Sequence, residues 1–205
     1  SDDGRFYFIM EPTETDNRFM MVKSSDGGKS WTEVDGDNRP PARDLEAVDA
    51  VRVDDIIHII HMEDVVWYHA FQLPSAGEES EGWVSRSELI GEPEKPPVQS
   101  VGLEALSDGT LLAFHADGPD IVMRSRSGPG SWPVIARLES TTRNCGIQVV
   151  RIPDDRVYCC FTDGKGNGWL QLCGKEGPKG QPLLLSANLG TDESDVGSIL
   201  TPVHI

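Results

Sequence analysis

The stretch AVRVDDIIHIIH, residues 50–61, places two acidic residues between two apolar runs that are rich in β-branched side chains. β-Branched residues favour strands, and a short acidic turn between two such runs is typical of a β-hairpin. The pattern recurs in LEALSDGTLLAFH (103–115) and VVRIPDDRVYCCF (149–161), and its second half recurs in SDDGRFYFIM (1–10). The sequence therefore predicts a series of similar hairpins.

The spacing of these hairpins predicts the fold. Their turn aspartates, Asp3, Asp55, Asp108 and Asp155, lie 52, 53 and 47 residues apart. A period of about 50 residues is typical of propeller blades, whose four strands are named a to d here. The last ten residues, VGSILTPVHI (196–205), are patterned like strand a, which the N-terminal stretch lacks.

The predicted fold is all-β: a single β-propeller domain, with four blades of four antiparallel strands, in which the C-terminal strand closes the first blade. Such closure would leave no long free sheet edge. The predicted blades comprise 196–205 plus 1–40, 41–95, 96–140 and 141–195.

The stretch KSSDGGKSWTEV (23–34) contains Gly28-Lys29-Ser30, which is how a phosphate-binding P-loop ends. A P-loop also needs a glycine at position 23, where this chain has Lys23, and a helix directly after the motif. Here the residues that follow favour a strand. We therefore exclude a nucleotide-binding loop at this position.

Within that stretch, Ser24-x-Asp26-x-Gly28-x-Ser30-Trp31 resembles the Asp-box, or BNR repeat, of sialidase-like β-propellers. A degraded second copy, SRSGPGSW (125–132), has the same serine-to-tryptophan separation. The resemblance implies a structural turn between strands c and d, away from the ligand face. We expect the Asp26 carboxylate to accept hydrogen bonds from its own turn, and Gly28 to adopt left-handed geometry.

The resemblance further implies that the ligand face is built from the b–c loops and the d–a connections. The candidate ligand-binding residues there are Arg43, Asp44, His61, Glu63, His115, Asp117, Arg143, Asn144, Asp163 and Asp195. Two arginines can bind a carboxylate bidentately, or each can pair with an acid on the rim. The two histidines end strand b at equivalent places, where a histidine can act as a base, bind a ligand or pack in the core.

The net charge of the chain limits the kinds of partner that it can bind. The net charge is −16, and the chain has no lysine or arginine cluster that could neutralise phosphates, so we expect neither nucleic acid nor an anionic membrane as a partner. Asp35-x-Asp37 begins like a calcium loop, but Arg39 replaces the next ligand. We therefore predict no metal site and no cofactor.

All four cysteines lie in the predicted fourth blade: Cys145, Cys159, Cys160 and Cys173. A hairpin turn at Asp154-Asp155 would place Cys160 opposite Val149 and Cys159 opposite Val150, which pairs no two thiols. Free thiols suit a reducing compartment, whereas Asp-box proteins are often secreted. The sequence therefore leaves the localisation open.

Three functions are compatible with these patterns. The preferred one is a lectin-like propeller that binds a carbohydrate or another small polar ligand. The second is a glycoside hydrolase related to sialidases, although the tyrosines, Tyr7, Tyr68 and Tyr158, all lie in predicted strands rather than at the ligand face. The third is a scaffold or homo-oligomer in which another chain completes a larger ring.

Overall fold

The computed structural model describes residues 4–10, 17–36, 38–43, 47–74, 81–94, 99–138, 144–163 and 165–186. These residues form sixteen β-strands and no helix. A helix long and apolar enough to cross a membrane is accordingly absent from this part of the chain. The prediction of an all-β fold is confirmed.

The strands form four antiparallel sheets, in which neighbouring strands follow one another along the chain except at the end of the fourth sheet. Sheet 1 contains β1 (Phe6–Met10), β2 (Met20–Ser24) and β3 (Thr32–Glu33). Sheet 2 contains β4 (Ala47–Val53), β5 (Ile56–Met62), β6 (Val66–Gln72) and β7 (Gly82–Gly91). Sheet 3 contains β8 (Val101–Ala105), β9 (Leu111–Asp117), β10 (Asp120–Ser125) and β11 (Val134–Leu138). Sheet 4 contains β12 (Asn144–Ile152), β13 (Arg156–Asp163), β14 (Gly168–Gly174), β15 (Gly177–Pro178) and β16 (Leu183–Ser186).

The expectation of four strands in every blade holds for sheets 2 and 3 only. Sheet 4 has a fifth strand, because β14 pairs with β15 near one end and with β16 near the other. Sheet 1 has three strands among the described residues. Its predicted fourth strand, 196–205, lies outside them, so closure of the first blade stays a prediction.

Apolar layers join consecutive sheets face to face. The layer between sheets 1 and 2 includes Phe19, Met21, Ile59, Phe71 and Trp83. The layer between sheets 2 and 3 includes Ile60, Tyr68, Ile90, Leu103 and Trp132. The layer between sheets 3 and 4 includes Phe114, Met123, Val149, Val157 and Cys159. Each large side chain buried there contributes about 1.5 to 3 kcal/mol, so the sheets are stabilised mainly as neighbours in a series.

The a–b hairpins contain the predicted acidic turns, but not all with the expected length. Asp54 has φ 50° in a two-residue turn. In sheet 4, Ile152 pairs with Arg156, so the loop has three residues and includes Pro153. Proline lacks the N–H that a ladder pair at this position would need.

The longer loop shifts the cysteine register by one residue. Cys159 lies opposite Val149 and Cys160 opposite Gln148, so the predicted partners were wrong by one position. The conclusion that no disulfide forms holds for the three cysteines whose side chains are described, Cys159, Cys160 and Cys173, which are free.

The β2–β3 turn has the hydrogen bonds that the sequence predicted for Asp26 and the left-handed geometry that it predicted for Gly28. Asp26 Oδ1 accepts hydrogen bonds from the backbone N–H groups of Lys29 (3.0 Å) and Ser30 (2.9 Å). Ser24 Oγ accepts the Gly28 N–H at 2.8 Å, and Gly28 has φ 86°. The hydrogen bonds from Ser30 lower the pKa of the Asp26 carboxyl to about 2. The turn is therefore stabilised by contacts within eight residues.

Candidate functional site

Three of the residues predicted from the sequence meet at the end of strand β5. His61 is buried, and its Nε2 lies 3.6 Å from Glu63 Oε1. The same carboxylate oxygen accepts the backbone N–H of Arg43 at 2.5 Å. The structure therefore brings Arg43, His61 and Glu63 together, with Arg43 contributing its backbone to this contact.

A chain of hydrogen bonds connects His61 to the interior of sheet 2. His69 Nδ1 accepts the Ser87 N–H at 3.0 Å, so the proton of a neutral His69 must lie on Nε2. His69 Nε2 then donates to His61 Nδ1, also at 3.0 Å, which leaves the His61 proton on Nε2. His61 Nε2 is buried and has no hydrogen-bond partner among the described residues. Burial lowers the pKa of both histidines.

His115, the predicted equivalent of His61, is satisfied within its own sheet. Its Nδ1 lies 3.0 Å from the Ala116 carbonyl oxygen, and its Nε2 accepts from Arg124 Nε at 3.1 Å. Asp117 accepts from Arg137 Nη2 at 2.6 Å and from the Glu94 N–H at 2.7 Å. Both predicted residues thus have structural partners.

Asp163 caps its own b–c loop. Its carboxylate accepts hydrogen bonds from the backbone of Lys165 (2.8 Å), from both the backbone (3.0 Å) and the side chain (2.9 Å) of Asn167, and from the Trp169 indole (2.9 Å). Four candidates lie outside the part of the structure that can be described: Asp44, Arg143, Asp195 and the side chain of Asn144. The predicted mouth as a whole stays a prediction.

A second cluster, which the sequence did not predict, lies between sheets 2 and 3. We call Tyr68, Glu88, Arg126 and Trp132 the inter-sheet cluster. Glu88 Oε1 accepts from Trp132 Nε1 at 2.6 Å, and Glu88 Oε2 accepts from Arg126 Nη2 at 3.3 Å. The Arg126 guanidinium carbon lies 4.9 Å from the centre of the Tyr68 ring. A carboxylate, a guanidinium and two aromatic rings are thus in mutual contact.

The backbone next to Glu88 is strained. Ser87 has φ 55°, which is uncommon for a residue other than glycine, and the β6–β7 pairing is irregular between Tyr68 and Phe71. Bulges and strained residues cluster at functional sites, where they redirect side chains. Here they place Glu88 towards sheet 3 and the Ser87 N–H towards His69.

Some polar groups of the inter-sheet cluster are not fully used in hydrogen bonds within the described residues. Arg126 Nε is buried and has no hydrogen-bond partner among the described residues, while part of the Arg126 and Glu88 side chains reaches solvent. His58 Nδ1 lies 2.6 Å from the Tyr68 hydroxyl, and this hydrogen bond fixes the position of the Tyr68 ring. Burial raises the pKa of Tyr68 to about 12, so its hydroxyl stays neutral.

A shallow cavity of about 300 Å³ lies between sheets 1 and 2. It is lined by Arg5, Phe6, Tyr7, Ala50, Val51, Arg52, Ile57 and Leu73. Its two charged residues are Arg5 and Arg52, and Arg52 already donates to the Asp54 carbonyl oxygen at 2.6 Å and lies 3.9 Å from the Asp55 carboxylate. The cavity lies beside the a–b turn of sheet 2, at the opposite end of the strands from the b–c loops.

Comparison with known proteins defines the fold class. No protein-family model and no curated protein matches the chain, so membership of the Asp-box family stays a prediction. Among solved structures, the chain is similar to the GH93 α-L-arabinofuranosidase of Fusarium graminearum in complex with arabinobiose. The TM-score is 0.55 at 16% identity, over 92% of this chain and 65% of that one.

The chain is also similar to two lectins. One is the six-bladed β-propeller lectin of Aleuria aurantia, with TM-score 0.55, 13% identity, 89% of this chain and 60% of that one. The other is the SapL1 lectin in complex with α-methyl fucoside, with TM-score 0.53, 10% identity, 88% of this chain and 60% of that one. The chain thus spans about three fifths of the length of these structures. The likeness shows that its fold is that of a β-propeller.

Proposed function

We propose that this chain is a carbohydrate-binding β-propeller domain, and that Glu88 and Arg126 of the inter-sheet cluster contact the sugar. The observation that carries the proposal is the contact of Glu88 with both Arg126 and Trp132, beside the Tyr68 ring. This combination joins a partly exposed anionic acceptor and a partly exposed cationic donor, both held in place by two buried aromatic rings.

Sugars present the complementary chemistry. Each hydroxyl donates one hydrogen bond and accepts others, so neighbouring hydroxyls match a carboxylate beside a guanidinium. Tyr68 and Trp132 are 1% and 5% exposed, so these two rings position Glu88 and Arg126 from the buried side rather than pack on the sugar. The Arg126 and Glu88 side chains both reach solvent in part, so a sugar hydroxyl can approach their outer atoms. The strain at Ser87 is consistent with selection for the position of Glu88 rather than for stability.

The fold comparison supports the same class of ligand. Two of the similar structures are described with a fucose recognition mode and with α-methyl fucoside, and a third contains arabinobiose. We therefore propose a neutral deoxyhexose or pentose unit as the ligand, rather than an acidic sugar. A single Arg–Glu pair suits neutral hydroxyls, because the carboxylate would repel an anionic sugar.

Binding is favoured over hydrolysis. Most glycoside hydrolases need two carboxyl groups on opposite sides of the scissile bond, about 5 to 10 Å apart. The inter-sheet cluster contributes one carboxylate, that of Glu88, and it is held by two hydrogen-bond donors. The hydrolase alternative therefore has less support in the described residues.

A glycan array, followed by calorimetric titration with methyl α-L-fucoside and arabinobiose, tests the proposal. We expect Glu88→Gln and Arg126→Lys each to weaken binding by at least about tenfold, which corresponds to about 1.4 kcal/mol. The matched controls are Glu176→Gln, in an exposed turn, and Arg156→Lys, at the start of β13 with its side chain 41% exposed; both should leave binding unchanged.

Two results would count against the proposal. The first is a folded wild-type chain that binds no glycan. The second is unchanged affinity in Glu88→Gln together with a loss in Glu63→Gln, which would move the site to the predicted mouth around His61 and Arg43.

A further inference from the structure

One face of sheet 1 is apolar and open. We call Phe6, Phe8, Met10 and Trp31 the leading face; their exposed fractions are 54%, 60%, 41% and 44%. The three strand residues alternate along β1 and so point to one side of the sheet, and Trp31 contacts Phe8 edge to face, with ring centres 6.3 Å apart. The opposite side of β1 carries Tyr7 and Ile9, which pack against sheet 2.

The positions that correspond to Phe8 are buried in the three later sheets. They are Ile59 in β5, Ala113 in β9 and Cys159 in β13, each with an exposed fraction of 0%. Each belongs to the apolar layer that joins its sheet to the preceding one. The leading face is therefore built in the same way as three surfaces that pack against another sheet.

The tryptophans that follow the turns of sheets 1 and 3 differ in exposure in the same way. Trp132 follows the β10–β11 turn of sheet 3, is 5% exposed, and packs on Tyr68 of the preceding sheet with ring centres 5.2 Å apart. Trp31 occupies the corresponding place after the β2–β3 turn of sheet 1 and is 44% exposed. An isolated exposed apolar residue is ordinary, but a contiguous patch of aromatic residues marks an interaction surface.

A complementary face lies on sheet 4. The register aligns Val150 with Tyr158 and Leu172, and Cys160 with Leu170 and Leu183, which we call the trailing face. This side is opposite to Val149 and Cys159, which pack against sheet 3. Leu183 is 59% exposed, and the other members are only partly buried. The chain therefore carries both halves of one further sheet-to-sheet contact.

We propose that the leading face of one copy of this chain packs against the trailing face of a second copy. The contact repeats the order found inside the chain, in which each sheet meets the next through the same two sides. Such a head-to-tail interface uses two different surfaces, unlike a two-fold interface in which one surface meets itself. It buries aromatic and leucine side chains that are exposed or only partly buried among the described residues.

Sedimentation equilibrium across a range of protein concentrations tests this inference, at about 0.15 M salt so that repulsion between acidic copies is screened. The wild-type chain is expected to associate. Phe8→Ser and Leu183→Ser, which change exposed residues on the two different faces, should each give a monomer. Val84→Ser is the control, because Val84 is 60% exposed on β7, away from both faces.

Mixing the two variants distinguishes the mode of contact. Leu183→Ser retains an intact leading face and Phe8→Ser an intact trailing face, so the mixture should form a dimer of about twice the monomer mass and no larger species. A wild-type chain that stays monomeric at every concentration overturns the proposal, and so does a Leu183→Ser variant that associates as the wild type does. The second result would mean that the leading face packs against itself.

Discussion

Trp132 Nε1 donates a hydrogen bond of 2.6 Å to Glu88 Oε1 across the boundary between sheets 3 and 2. The two residues are 44 positions apart in the sequence. The contact joins a turn that resembles a structural motif to the carboxylate of the proposed sugar site. Stability and the proposed sugar binding therefore involve the same pair of side chains.

The first prediction concerns this pair. Trp132→Phe keeps an aromatic ring but removes the indole N–H, so Glu88 loses a donor in a mostly buried place. We expect the free energy of unfolding to fall by about 1 to 3 kcal/mol, measured by urea denaturation. Trp31→Phe is the control: its indole donates to the Gly28 carbonyl at an exposed turn, so the loss should be smaller. Equal losses of unfolding free energy in the two variants would contradict a stabilising role for the Trp132–Glu88 hydrogen bond.

The second prediction concerns acid sensitivity. Burial lowers the pKa of His58 and of His115 from 6.5 to about 4, and it also lowers the pKa of the coupled pair His61 and His69. Below pH 6.5 the unfolded chain takes up protons that the folded chain does not, so stability is full above pH 6.5 and falls as the pH decreases. Each histidine contributes a slope of about 1.4 kcal/mol per pH unit.

Urea denaturation between pH 7.5 and pH 5 measures this effect, in a window where ordinary carboxyl groups stay ionised. His115→Gln removes one of the four titrating histidines, so it should reduce the slope of the free energy of unfolding against pH by about a quarter. A free energy of unfolding that is flat between pH 6.5 and pH 5 would show that these histidines titrate normally in the folded chain.

The third prediction concerns the contact between sheets 3 and 4. A Cβ on Gly102 would lie 2.9 Å from both Val149 methyl carbons, which is closer than packed atoms approach. We expect Gly102→Ala to lower the free energy of unfolding by about 1 to 3 kcal/mol because of overpacking. Gly82→Ala is the matched strand control, since no atom lies within 4 Å of its Cβ position. Thermal unfolding of the two variants should differ clearly, and similar melting temperatures would argue against this packing.

The fourth prediction concerns the β2–β3 turn. Asp26→Asn removes the negative charge and one acceptor oxygen from a carboxylate that accepts the N–H groups of Lys29 and Ser30. The melting temperature should fall at neutral pH, because the lowered pKa of Asp26 shows that the folded turn favours the ionised form. This contribution is present above pH 3.8 and is lost as the pH falls towards about 2, where wild type and variant should converge. Asp64→Asn, in an exposed turn, is the control.

Features made by neighbouring residues could be predicted from the sequence. Alternating β-branched runs determine strands because their side chains alternate between the two faces, and acidic pairs between them determine tight turns. The hydrogen bonds of Asp26 stay within eight residues, so its turn could be predicted in detail. The one-residue register error at Cys159 arose because Pro153 lengthens its loop, which residue patterns alone did not show.

The candidate site depended on contacts that only the tertiary structure makes. Glu88 lies in a strand with no motif, and its approach to Arg126 and Trp132 depends on a strained Ser87 and on the packing of two sheets. Likewise, the sequence determined that Phe6 and Phe8 share one side of a strand. The tertiary structure decided that this side is open, whereas the equivalent positions of later strands are covered. Local preference fixes the strand and its faces, but the burial of a face depends on which distant sheet packs against it.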